Sequence, residues 1–254
     1  TAIQARSPLA VQRGSLNALA GYLPLPVGIQ QSKLQLAGRP ALRWQKTGQT
    51  DNKKVILYLH GGVYCIGSPK SHRDLCSHLA LYANRPVISL DYRLAPEHVF
   101  PAAIDDVVAA YIELLAQGYA AQDIAIAGDS AGGGLSLSCL QQLRDRGIEL
   151  PAAAYLISPW LDLRNTASSH QSKSNVDPVL STEFLNTLRD YYLQGTANID
   201  ARVSPLLGSV TGLCPILIQV GSDEILLDDS LSLTRSIQAD GGEVELQQSE
   251  GLWH

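Results

Sequence analysis

Ile124-Ala125-Ile126-Ala127-Gly128-Asp129-Ser130-Ala131-Gly132-Gly133-Gly134 reads as a buried strand, a sharp turn and the start of a helix. Ile124 to Ala127 is an apolar run of strand length. Leu135, Leu137, Cys139, Leu140 and Leu143 then recur at mostly helical spacing until Gly147. Between them stands Gly128-x-Ser130-x-Gly132. A serine on so tight a turn stands clear of the sheet. Small residues two positions either side keep the turn from colliding with its strand and helix. The turn also places Ser130 at a helix N-terminus, where free N–H groups and the helix dipole favour developing negative charge. Taken alone, the pattern equally describes a glycine-rich turn that starts a helix, so its meaning depends on the rest of the chain.

Strands and helices alternate on both sides of this turn. Lys54 to Leu59 is apolar on both faces, as a central strand of a parallel sheet would be, and it runs into His60-Gly61-Gly62-Val63-Tyr64-Cys65-Ile66-Gly67. Adjacent glycines after a buried strand allow backbone N–H groups to approach a ligand closely, although a plain flexible turn has the same composition. A phosphate-binding loop is excluded by the missing Gly-Lys-Ser/Thr ending. Ser71 to Ala83 follows as a helix with Ser71 as N-cap, then a strand over Pro86 to Leu90 and a helix over Pro101 to Ala116. Beyond the Ser130 helix come strands at Pro151 to Ile157, Pro215 to Val220 and Val244 to Gln247, and a helix at Asp228 to Ala239. This alternation predicts an α/β fold with a mostly parallel sheet flanked by helices. It is interrupted between about 163 and 195 by a polar segment and a helix over Ser181 to Leu193, a candidate lid. Upstream, a helix near Leu9 to Leu19 and a hairpin of Lys33 to Leu36 with Ala41 to Gln45 complete the pattern.

Ser130, Asp223 and His254 each follow a predicted strand end. In a parallel sheet those ends share one edge, where ligands bind, so separations of roughly 90 and 30 residues do not keep the three apart. Serine, acid, histidine is the order in which a nucleophile, its orienting carboxylate and its base occur in this architecture. Singly, Asp223 also suits a helix cap and His254 a surface position.

Composition narrows the remaining choices. The chain has 254 residues, 45 % of them hydrophobic, which suits one large domain or a core with a small lid. Net charge is −5 with no basic cluster, which argues against nucleic acid as a partner. No apolar run approaches the roughly 18 residues of a membrane span, so stable membrane insertion is not expected. Cys65, Cys76, Cys139 and Cys214 lie far apart without metal-ligand spacing; a reduced, cytoplasmic setting is the expectation, with no metal and no cofactor.

The combined motifs resemble the hormone-sensitive-lipase-like α/β-hydrolases, the bacterial family IV esterases. His60-Gly61-Gly62-Val63 is similar to the family's His-Gly-Gly-Gly, Asp91-Tyr92-Arg93-Leu94-Ala95-Pro96-Glu97-His98 to a hallmark stretch, and Gly128-Asp129-Ser130-Ala131-Gly132 to its nucleophile elbow. The resemblance runs from about residue 23 to 254 and departs at Val63, which replaces the third glycine. It implies a single α/β-hydrolase domain of residues 1–254, a cap built from about 1–30 and 163–195, and a further loop and helix after His254. The implied activity is hydrolysis of short- to medium-chain acyl esters by Ser130, Asp223 and His254 through an acyl-enzyme. The oxyanion would be held by the N–H groups of Gly61, Gly62 and Ala131. Val63, Tyr64, Tyr92 and Trp160 are candidate pocket residues. A small-molecule ester is the implied partner, and a homodimer through an edge strand near Ile216 or Val244 is common in similar proteins. An amidase, carbamate or lactone hydrolase would use the same constellation, and a non-catalytic receptor could share the fold.

Overall fold

The computed structural model describes residues 8–50, 53–197 and 200–254. Among them, eight strands form one sheet: β1 (Ile29–Leu36), β2 (Arg39–Lys46), β3 (Val55–Leu59), β4 (Val87–Leu90), β5 (Ile124–Asp129), β6 (Ala153–Ile157), β7 (Ile216–Gly221) and β8 (Val244–Ser249). Their order is β1-β2-β4-β3-β5-β6-β7-β8. The β1–β2 hairpin pairs antiparallel, with Gln31 opposite Trp44, and β2 meets β4 antiparallel. Every pairing from β4 to β8 is parallel. The carboxyl ends of β3, β5, β7 and β8 therefore open onto one edge, as the alternation predicts.

Among the described residues seven α-helices accompany the sheet: α1 (Leu9–Gly21), α2 (Arg73–Ala83), α3 (Ala102–Ala116), α4 (Ala131–Asp145), α5 (Ser169–Ser172), α6 (Thr182–Leu193) and α7 (Leu227–Ala239). The larger core lies where α3, α4 and α7 cover β3, β5, β6 and β7, with Leu57, Leu59, Ile126, Leu135, Leu140, Leu156 and Ile218 fully or almost fully buried. A smaller apolar cluster on the other face joins Cys76 and Ala80 of α2 to Trp44, Tyr58 and Val87. Burying a side chain of this size contributes roughly 1.5–3 kcal/mol, which fixes which face of each strand looks inward.

Element boundaries follow the sequence closely. Ser181 is the N-cap of α6, its hydroxyl accepting from Phe184 N at 3.2 Å. Ser71 does not cap α2. The helix begins at Arg73, and the Ser71 hydroxyl instead donates to Ser68 O and accepts from Ser68 N, closing the glycine loop. The edge-strand expectation is corrected in one respect. Ile216 lies on β7, which is paired on both sides; the edge is β8, with Val244. No helix among the described residues is long and apolar enough to cross a membrane. Residues 1–7 of the expected cap lie outside the described residues. The other segments expected to form it hold α1, α5 and α6, and Leu16 of α1 with Val179, Leu180 and Phe184 lines the cleft at the edge where β5 ends.

Candidate active site

Ser130 sits between β5 and α4 with φ 52° and ψ −121°, a left-handed backbone that a non-glycine residue adopts only at a cost of about 1–3 kcal/mol. Its own backbone holds it there. Its N–H donates to Ile157 O at 2.8 Å, and its carbonyl accepts from Trp160 N at 2.9 Å and Gly134 N at 3.1 Å. The glycines around it are explained by contact. A Cβ on Gly132 would strike the Leu59 carbonyl of β3, and one on Gly128 would strike the Gly132 carbonyl. Ser130 is 4 % exposed and lines a cleft of about 240 Å³ with Gly62, Val63, His72 and His254.

His254 reaches this cleft from the loop after β8. That loop is pinned to the end of β7: Ser222 N donates to Ser249 O at 2.9 Å, Gly251 N to the Ser222 hydroxyl at 2.8 Å, and Asp223 N to Leu252 O at 3.0 Å. A side chain at Gly221 would collide with Leu252 O. The carboxylate facing the histidine is not the expected one. Glu224 Oε2 lies 2.9 Å from His254 Nδ1, whereas Asp223 turns away to Lys173, Oδ1 to Nζ 3.3 Å. The turn after β7 sends neighbouring side chains in different directions, and only the second points inward. Glu224 is 1 % exposed, and its other oxygen accepts from the Ser158 hydroxyl and Gly221 N, each at 2.6 Å. Ser158 itself has φ 45°. A carboxylate acceptor fixes the proton of His254 on Nδ1 and leaves Nε2 as the basic nitrogen.

The glycine loop also departs from expectation. Gly61 N–H is occupied, donating to Asp129 Oδ1 at 2.9 Å. The N–H groups of Gly62, Val63 and Ala131 have no hydrogen-bond partner among the described residues. Asp129 accepts further from the Tyr58 hydroxyl at 2.6 Å and faces His72 Nε2 at 3.2 Å. Burial opposes charge on both members of this pair, but their mutual attraction outweighs it. The Asp129 pKa is held below the usual carboxylate value and the His72 pKa is raised. His60 is not a base: burial pushes its pKa down to about 3, its ring stacks on Tyr92 with centroids 4.2 Å apart, and its Nδ1–H donates to Gly61 O at 2.9 Å. Cys65 in the same loop is buried, with its thiol pushed up to about 12 by that burial.

Of the four expected pocket residues, only Val63 lines the cleft. Tyr64 stacks on Tyr192 at 4.1 Å, Tyr92 donates its hydroxyl to His60 O at 2.6 Å, and Trp160 donates to Asn165 Oδ1 at 2.7 Å. All three are core residues that carry the loops from beneath, because large rings bury area wherever the packing offers it. The apolar walls are instead Leu16 of α1, Ile66, and Val179, Leu180 and Phe184 of the cap. Leu16 and Phe184 look like ordinary helical core positions and Ile66, Val179 and Leu180 like apolar loop residues, so no sequence pattern distinguishes them as wall residues.

Residues 56–254 match the model of a family described as having the alpha/beta hydrolase fold. An acetyl-hydrolase of Streptomyces hygroscopicus is 42 % identical over 228 residues, covering 90 % of this chain and 76 % of that protein. An esterase of Acinetobacter venetianus is 36 % identical over 244 residues, covering 95 % and 80 %. The crystal structure of an esterase from the bacterial hormone-sensitive lipase family superposes with a TM-score of 0.95 at 41 % identity, covering 99 % of this chain and 84 % of that one. With its strained serine elbow, its glycine loop and a sheet that matches these relatives along nearly its whole length, the chain belongs to the alpha/beta hydrolase fold family, among the hormone-sensitive-lipase-like carboxylic ester hydrolases.

Proposed function

We propose that the protein hydrolyses esters of short acyl chains through a Ser130–His254–Glu224 triad. The observation that carries this reading is the 2.9 Å contact of His254 Nδ1 with buried Glu224, on the same sheet edge as the strained Ser130. His254 Nε2 takes the proton of Ser130 Oγ as the oxygen attacks the ester carbonyl, and Glu224 stabilises the imidazolium that forms. The carbonyl oxygen becomes an oxyanion held by the N–H groups of Gly62, Val63 and Ala131, three donors left unused by the fold. Collapse of this intermediate breaks the bond to the alkoxy oxygen, which leaves with the proton from His254. Water, deprotonated by the same nitrogen, then releases the acid and restores Ser130. Val63 in place of a glycine narrows the cleft without removing a donor, since the donor is backbone. A volume of about 240 Å³ closed by Leu16 and Phe184 suits acetyl to butyryl groups better than long chains.

The test is hydrolysis of p-nitrophenyl acetate, butyrate and octanoate beside Ser130→Ala. Turnover that favours the shorter esters and falls by a factor on the order of 10⁵–10⁶ in the variant supports the reading. Turnover that survives Ser130→Ala, or an optimum at octanoate, overturns the nucleophile or the substrate class respectively.

A further inference from the structure

The polar segment between β6 and α6 does more than cover the cleft. It is stitched to the turn that carries Glu224 by bonds on both sides of that residue. Asp177, 8 % exposed, uses both carboxylate oxygens. Oδ1 accepts from Val179 N at 2.9 Å and Leu180 N at 3.0 Å, and those two residues form part of the cleft wall. Oδ2 accepts from Ile225 N at 3.0 Å. That N–H belongs to the peptide joining Glu224 to Ile225. Ser169 holds the next peptide, its hydroxyl donating to Ile225 O at 2.6 Å. Asp228 closes the seam by accepting from Ser169 N at 2.8 Å, and Lys173 meets Asp223 at 3.3 Å.

We infer that Asp177 is a positioning residue that acts through Glu224, tying the cap wall at Val179–Leu180 to the peptide that orients the acid. The inference rests on the triad proposed above. A peptide plane held at its N–H cannot rotate, so the Glu224 side chain leaves the backbone in one direction and meets His254. Without Asp177 the Ile225 N–H loses its only acceptor among the described residues, and the plane keeps one long restraint, from Leu227 N to Glu224 O at 3.3 Å. Misplacement of a catalytic group by about 1 Å costs on the order of 100-fold in rate. Because one carboxylate serves both partners, a correctly seated cap wall and a correctly aimed acid are a single arrangement.

The experiment is a double-mutant cycle of Asp177→Asn with Glu224→Gln, following kcat and KM on p-nitrophenyl butyrate and the melting temperature of each variant. Asn is isosteric, but its amide N–H₂ must face either the Ile225 N–H or the two N–H groups of Val179 and Leu180. Asp177→Asn alone is expected to lower kcat about tenfold with KM within about twofold, the scale of one misplaced charged hydrogen bond. In the Glu224→Gln background the same change should cost less than about twofold, because the group it aims is already gone. Equal fold-losses in both backgrounds, or a change confined to KM, would overturn the inference while leaving the triad intact. An unchanged kcat in Glu224→Gln itself would overturn the triad and the inference together. Should Asp177→Asn fail to fold, Ser169→Ala releases the other peptide of Ile225. Its expected loss of about threefold in kcat should likewise vanish beside Glu224→Gln, and persistence there would count against the role.

Discussion

The two halves of the site are built by different means. On the nucleophile side, β3 with its glycine loop and β5 with the Ser130 elbow are locked by backbone contact. Gly132 rests on the Leu59 carbonyl, Gly128 on the Gly132 carbonyl, and Gly61 against the Asp129 carboxylate. On the Glu224 side, geometry comes from side-chain hydrogen bonds between groups far apart in the chain: the Ser158 hydroxyl donates to Glu224, Ile225 N to Asp177, and Leu161 N and Asp162 N to Asp229. The first kind of constraint selects residue types at set spacings. The second selects only a partner, and several residues can meet it.

The largest test of that contrast is to change each of the adjacent carboxylates. Glu224→Gln keeps the shape but removes the charge facing His254 Nδ1, and kcat should fall by a factor on the order of 10³–10⁴, as when the acid of a protease triad is made an amide. Asp223→Asn loses only its exchange with Lys173 and should stay within about threefold, as half-exposed ion pairs contribute little. The reverse ranking in steady-state kinetics would restore Asp223 as the acid.

On the nucleophile side, Asp129→Ala removes the acceptor that holds Gly61 N–H and the partner of His72 and Tyr58. The glycine loop should drift from the oxyanion, with kcat lowered about 100-fold and KM little changed, on the scale of one lost oxyanion donor. An equal loss in KM with kcat intact would mean that Asp129 shapes binding alone. Ser158→Ala removes one of the two hydrogen bonds on Glu224 Oε1, leaving Gly221 N–H, and is expected to cost about tenfold in kcat, close to the value of one charged hydrogen bond. A variant with wild-type kcat would show that Gly221 alone suffices.

The smallest effect concerns pH. Asp229 is 1 % exposed, and burial pushes its pKa up to about 7 even though Leu161 N and Asp162 N donate to it. A carboxyl whose folded pKa lies above its unfolded value binds a proton on folding. Its stabilising effect is complete below about pH 4 and is lost as pH rises through about 7. Relative to Asp229→Asn, the wild type should therefore lose a few degrees of melting temperature between pH 5 and 8. A difference that stays constant across that range would show that the two N–H donors keep Asp229 charged.

The alternation of elements, the parallel sheet, the elbow and the glycine loop were legible in the sequence because each imposes a local steric or periodic demand. Gly128 and Gly132 must be small, Ser130 must stand between them, and apolar runs of strand length must be buried. That His254 would reach the cleft beside Ser130 was legible from its place after the last strand. What the tertiary structure alone decided was which of Asp223 and Glu224 faces His254, the Gly61 N–H spent on Asp129, and the cleft walls at Leu16, Val179, Leu180 and Phe184 in place of Tyr64, Tyr92 and Trp160. The physical reason is common to all three. Whether a carboxylate, an N–H or a ring faces the cleft depends on a turn's exact path and on partners supplied by distant segments, such as Ser158 and Asp177, and neither leaves a periodic mark on the chain.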